Sequence, residues 1–282
     1  MDQPEKIGLR DWGLNVHIPK EELDSVLQDC LSGFSELEKR TGRLNLLLCA
    51  QPKSASLYTT QLLASSLGLR NHQIGFAKAG GAIYYPRLLM AKYTPGDTIS
   101  HCHAVPTSET LRLVRQLDFR VVVLFRNLLD GLVSRRDMLM KGGWAENFLH
   151  PAAAERLASY SEREQLDLTI DLFAPAYINF QASWSYLCAA ERSPLVRATY
   201  EELVTDEVAF VEHIGEAFGR AVDPAEVRAV SERIRSEGGI NFSTGRTGRG
   251  REAFADDQID RLRTLARRLG ASDEGLLGFS LG

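Results

Sequence analysis

The sequence predicts an α/β fold with a central, mostly parallel sheet flanked by helices. Residues 44–50 (LNLLLCA) and 120–125 (RVVVLF) are short apolar runs, the pattern of strands covered on both faces. Each run leads directly into a stretch of helical character, 56–67 and 128–140. Strands that alternate with helices pair in parallel through crossovers. No stretch has the composition of a linker, so one domain over residues 1–282 is expected.

In chain order, 20–39 carries apolar residues at helical spacing. After the strand at 44–50, Gly68 closes the helix at 56–67. A further helix is expected over 80–92, a short strand over 99–102 and a helix over 108–117. The β-branched run at 120–125 is the strongest strand signal, and its helix follows at 128–140. The stretch 142–165 mixes glycine, aromatics and charges and reads as a lid or insertion. Residues 166–191 read as a helix kinked or broken at Pro175. A strand at 195–199 and helices near 206–219, 224–236 and 256–269 complete the pattern, with a Gly/Arg loop, NFSTGRTGRGRE, before the last helix.

The 33 basic and 37 acidic residues leave a net charge of −4. That balance argues against nucleic acid as a partner, though a local basic site is compatible with it. Cys30, Cys49, Cys102 and Cys188 are scattered without a C-x-x-C pair, so neither a disulfide scaffold nor a zinc ribbon is expected. The N-terminus lacks a signal-peptide core, and no run is long enough to span a membrane. A cytoplasmic location is the expectation, and nothing indicates the oligomeric state.

The stretch AQPKSASLYTTQLL places Lys53 between a strand and a helix. Unpaired N–H groups at the helix start, the macrodipole, Lys53 and the hydroxyls of Ser54 and Ser56 make an anion site. The nucleotide P-loop G-x-x-x-x-G-K-[ST] fits poorly, because here the lysine precedes the small residues and no glycine precedes it.

The stretch instead resembles the P-K-S-G-T-T-W loop of sulfotransferases that use 3′-phosphoadenosine-5′-phosphosulfate (PAPS). Pro52, Lys53 and Ser54 match directly, whereas Ala55, Ser56, Leu57 and Tyr58 replace Gly, Thr, Thr and Trp. The resemblance implies a P-loop-like three-layer fold and a loop that grips the 5′-phosphosulfate. Tyr58 would offer a stacking face for the adenine. The second signature of that family, R-[DN]-P-x-D-x-x-x-S, reads here as Arg126, Asn127, Leu128, Leu129, Asp130 and, further on, Ser134; only the proline is missing. In the family the Arg and Ser hold the 3′-phosphate. Asp130 reads better as a tether for the loop than as an anion ligand.

The Gly/Arg loop resembles the family's R-K-G-x-x-G element over the 3′-phosphate, with Gly245 and Gly248 at its spacing. Arg246, Thr247 and Arg249 complete the expected cofactor contacts, and Arg251 is a further source of charge. Tyr200, in RATYEEL, resembles an element near the adenine. In TISHCHAVP, His103 falls where the family has its histidine base and His101 where cytosolic animal enzymes have lysine. Strand alternation puts both on one face. The resemblance implies that His103 is the general base, with Lys53 and His101 acting on the transferring group, although the two histidines could exchange roles.

The implied function is transfer of a sulfuryl group from PAPS to a hydroxyl of a small-molecule acceptor, with PAP as product and no metal required. Tyr84, Tyr85, Trp144 and Phe148 are expected near an acceptor of lipid or aromatic character. The alternatives are a P-loop kinase using ATP and a non-catalytic protein that binds PAP or PAPS.

Overall fold

A computed structural model of the chain describes residues 43–71, 96–141, 144–189, 195–237 and 246–282. Contacts divide the chain into Met1–Leu44 and Asn45–Gly282. The second unit carries everything described below. The helices expected at 20–39 and 80–92 lie outside the described residues, so the single-domain expectation concerns parts of the chain that are not described.

Five strands form one parallel sheet: β1 (Asn45–Ala50), β2 (Arg70–Asn71), β3 (Thr98–Cys102), β4 (Arg120–Phe125) and β5 (Leu195–Thr199). Their spatial order is β2-β3-β1-β4-β5, and every pairing is parallel. β1 is central because it is apolar on both faces. Leu46, Leu47 and Leu48 are fully buried, each contributing about 1.5–3 kcal/mol by leaving water. Cys49 pairs in register with Cys102 on one side and Val123 on the other.

The helices are α1 (Ser56–Ser66), α2 (Ser108–Gln116), α3 (Leu128–Met140), α4 (Pro151–Leu157) and α5 (Glu162–Ala189), then α6 (Tyr200–Thr205), α7 (Glu207–Ala217), α8 (Pro224–Glu237), α9 (Arg249–Ala253), α10 (Asp256–Arg268) and α11 (Glu274–Leu277). Leu128, Leu132, Phe173, Ile178 and Leu262 join α3, α5 and α10 in one apolar core. Helices α1, α7 and α8 meet through Tyr58, whose hydroxyl donates to Glu207 Oε1 at 2.6 Å and lies 3.0 Å from Ser231 Oγ.

Three local results bear on the sequence reading. Helix α5 runs unbroken through Pro175. Pro175 and Asp171 are both exposed, so the carbonyl four residues back, which loses its N–H partner, can turn to water. The stretch read as a lid contains a short 3₁₀ turn at Ala145–Asn147, then α4 and the first residues of α5. The two-residue strand β2, exposed at both positions, carries no apolar signature at all.

Strand order fixes where a ligand can sit. From β1 the chain moves to β2 and β3 on one side, and from β4 it moves to β5 on the other. The crevice beyond the C-terminal ends of β1 and β4 is therefore the switch point, where parallel α/β sheets bind ligands.

Candidate active site

The loop after β1 is held open by two left-handed residues, Lys53 (φ 72°) and Ala55 (φ 60°). Neither is glycine, and this conformation costs about 1–2 kcal/mol for an L-residue. Ala55 caps α1 without a side-chain hydrogen bond, so the first amides of the helix are left for an anion. Ser56 stands at that helix start, 9% exposed, with Leu57 half-buried beside it. The Ser54 hydroxyl is already used: it donates to the Gln51 carbonyl at 2.6 Å, so it shapes the loop rather than facing a ligand.

The loop after β4 comes to the same place. Arg126 Nη1 donates to the Lys53 carbonyl at 2.6 Å, and its guanidinium lies 3.9 Å over the Tyr200 ring. Arg126 is 5% exposed, and its Nε is buried with no hydrogen-bond partner among the described residues. Gln51, absent from the sequence reading, joins the two loops. Its Oε1 accepts from the Arg126 amide at 3.2 Å and from Gln181 Nε2 at 3.0 Å. The same Gln181 nitrogen also donates to the Arg126 carbonyl at 2.9 Å.

Asn127 caps α3 by accepting from the Asp130 amide. Asp130 tethers the Gly/Arg loop, as its position suggested, accepting from the amides of Gly248 at 2.7 Å and Gly250 at 2.6 Å. Gly250 permits the approach: a Cβ there would meet Leu129 at 2.4 Å. Arg249 pairs with Asp137 at 3.0 Å, and its Nε is another buried guanidinium nitrogen without a hydrogen-bond partner among the described residues. Ser134 is 8% exposed on α3, about two turns from the helix start. Arg246 and Thr247 are exposed, Gly248 takes φ 82°, and Gly245 lies outside the described residues.

The third strand end carries the histidines. The rings of His101 and His103 lie 5.4 Å apart, edge to face. His103 Nδ1 is 2.7 Å from the Ala50 carbonyl oxygen. A carbonyl can only accept, so Nδ1 carries the proton and Nε2 keeps its lone pair in the neutral ring. Burial, followed by the charges of Arg135 and Lys53, holds His103 below its ordinary value, although the Ala50 bond opposes this. Burial takes His101 down to about 4. Both rings are thus uncharged at neutral pH, and His101 can act on an anion only as a hydrogen-bond donor. The Trp184 indole pins the following loop by donating to the Ala104 carbonyl at 2.9 Å.

Lys53 falls to about 8, chiefly through burial and then through the charges of Arg135, Arg126 and Lys141, which Asp137 partly offsets. Among the described residues no carboxylate pairs with Lys53, Arg126 or Arg135, although Arg136 and Arg249 both find Asp137. Half-buried and buried cations with no ion-paired carboxylate among the described residues, together with orphaned guanidinium nitrogens, fit a multiply charged anion. These groups lie on both the Lys53 and the Arg126 sides of the switch point, room for an anion with charge at two places.

Two expected adenine contacts need correction. Tyr58 is 1% exposed and its hydroxyl is bound on the far side of α1, so no ring face is open to a base. Tyr200 presents a face to Arg126 instead and backs that guanidinium by a cation–π contact. Tyr58→Phe is expected to lower stability by about 1–2 kcal/mol in a denaturant melt while leaving PAP affinity unchanged. A parallel loss of PAP affinity would restore Tyr58 to the site. Among the described residues no group of three or more His, Cys, Asp or Glu side chains is placed to hold a metal, and no helix is long and apolar enough to cross a membrane.

No family model matches the chain, and no curated protein matches it in sequence. Among solved structures, it is similar to mouse sulfotransferase SULT7A1 complexed with PAP, at TM-score 0.57 and 16% identity, covering 84% of this chain and 92% of that one. Retinol dehydratase in complex with androsterone and inactive cofactor PAP gives TM-score 0.49 and 12% identity over 85% of this chain and 84% of that one. A sulfotransferase from Alicyclobacillus acidocaldarius gives 0.46 and 13% over 86% and 98%. The chain therefore has the α/β fold of the mouse sulfotransferase.

Proposed function

We propose that this protein is a PAPS-dependent sulfotransferase acting on a hydroxyl of a small-molecule acceptor. The observation that carries the reading is the meeting of three neighbouring strand ends. Among the described residues, they bring together an uncapped helix start with Lys53, a buried Arg126 without an ion-paired carboxylate, and His103 with Nε2 free. The fold shared with a protein complexed with PAP supports it.

PAPS, when bound, supplies the sulfuryl group and a stable phosphate leaving group. The Lys53 loop and the first amides of α1 would hold the 5′-phosphosulfate. Arg126, Ser134 and Arg249 would hold the 3′-phosphate, with Asp130 fixing the Gly/Arg loop near it. His103 Nε2 takes the acceptor's hydroxyl proton, oriented by the Ala50 carbonyl. Fixed cations and amides oppose the charge that develops on the leaving oxygen. Trp144, 42% exposed, and Phe148, packed 5.5 Å from Phe173, would lie on the acceptor side. Tyr84 and Tyr85, assigned to the same side from sequence, fall outside the described residues.

Incubation with sulfur-labelled PAPS and a panel of phenolic, steroid and lipid alcohols tests the activity. Label is expected in an organic product, in step with the appearance of PAP. ATP-dependent phosphorylation of the same panel would contradict the reading.

The charge state of Lys53 gives a further expectation. A lysine lowered to about 8 is cationic below that pH and neutral above it, and only the cation attracts a phosphate. PAP affinity should therefore hold from pH 6.5 to 7.5 and weaken between about pH 8 and 9. Calorimetry across that range checks it, and Lys53→Met should flatten the profile.

A further inference from the structure

The proposed mechanism leaves Arg135 unused, yet this side chain is built into the site with unusual care. It follows Gly131 by one helical turn on the same face of α3. A Cβ added at Gly131 would meet Gln51 Nε2 at 3.1 Å and the Tyr177 ring at 3.6 Å, so this face of α3 abuts the start of the Lys53 loop. Long helical side chains lean back toward the N-terminus, which brings the guanidinium toward that loop.

Arg135 is 6% exposed. Its Nε donates to the Tyr177 hydroxyl at 2.8 Å, and its centre lies 4.8 Å from the Phe173 ring, 5.1 Å from Phe148 and 5.8 Å from Tyr177. One face of the fork is thus fixed by rings and a hydroxyl. The Nη1 contact, Met138 Sδ at 3.9 Å, is weak. Among the described residues no carboxylate forms an ion pair with Arg135, while its neighbour Arg136 pairs with Asp137. A buried, oriented guanidinium without a counter-ion is a site for an oxyanion. Arg135 is also the foremost charge acting on Lys53, and among charges the foremost on His103. Together with the abutment of Gly131 on Gln51, this places its charge where it acts on both Lys53 and His103.

We infer that Arg135 binds the sulfuryl oxygens of the donor, so that the site distinguishes PAPS from PAP. This role rests on the proposed function, and no bond forms or breaks at Arg135, which keeps its proton throughout.

The test is calorimetric titration of wild type, Arg135→Gln and Arg135→Lys with PAPS and with PAP, in the absence of acceptor. PAPS affinity is expected to fall about tenfold or more in Arg135→Gln, with PAP affinity changed less than about twofold. Arg135→Lys should fall between, because it keeps the charge and loses the planar fork. Equal losses for the two ligands, or no loss for either, would overturn the inference while leaving the cofactor reading intact. A wild type that binds neither ligand would overturn both. If Arg135→Gln fails to fold, as judged by its melt, Arg135→Lys carries the comparison. Tyr177→Phe, which releases the guanidinium from its hydroxyl anchor, should then show a smaller loss confined to PAPS.

Discussion

His103→Ala is expected to lower kcat by about 10²- to 10⁴-fold, the usual contribution of a positioned general base, while PAP affinity stays within about twofold. The ring is anchored through Nδ1 on the Ala50 carbonyl, so removing it takes away the proposed base while the contacts of Arg126 with the Lys53 loop stay in place. The pH profile carries a second signature. His103 is held below its ordinary 6.5, so the neutral, proton-accepting form persists to lower pH. The acid limb of kcat/KM should therefore fall below pH 6.5, and turnover should be lost as pH drops through that depressed value. His101→Ala is the control. Its ring is also neutral, but its loss removes at most a hydrogen-bond donor, and the expected decrease is within about tenfold. Greater damage from His101→Ala would exchange the two roles. Unchanged transfer in both variants would move the chemistry elsewhere, and binding of PAP without any transfer in wild type would make this a nucleotide-binding protein.

Arg126→Ala should weaken PAP binding by on the order of 100-fold, about 3 kcal/mol. The arginine is 5% exposed, with one nitrogen on the Lys53 carbonyl and its Nε without a partner among the described residues. Truncation removes both a charge-assisted contact to the anion and the link between the two loops. Arg126→Lys separates these effects. It keeps a charge but cannot bridge the Lys53 carbonyl and a phosphate together, so more than half of the loss in free energy should remain. Isothermal titration of the three proteins measures this. Unaltered affinity in Arg126→Ala would show that the β4 loop does not hold the nucleotide.

The sheet was legible where burial writes itself into composition. β4 and β5 fall where their apolar runs predict, and β1 and β3 differ from prediction only by a terminal residue. β2 was not legible, because its two residues are exposed and pair through backbone alone. The candidate site was legible in its corners, the cations Lys53 and Arg126 and the neutral histidine pair, because each sits at a strand end where motif and topology coincide. Its supporting contacts were not. Gln51 and Gln181 are 130 residues apart and meet only because α5 crosses the ends of β1 and β4. Arg135 sits in the charged run SRRD, where helical periodicity from Gly131 was the one available sign that it turns inward. Tyr58 shows the opposite error. Its spacing to the buried Leu62 marks a core position, yet the resemblance of its loop drew it into the site.

The central claim is that the switch point is built for a nucleotide with a 3′-phosphate. The most direct measurement is calorimetric titration of the wild-type chain with PAP, repeated with ATP and magnesium as competitor. The account predicts tight, metal-independent binding of PAP that ATP displaces at least about 100-fold less effectively. Preference for ATP, or no binding of PAP, would contradict it.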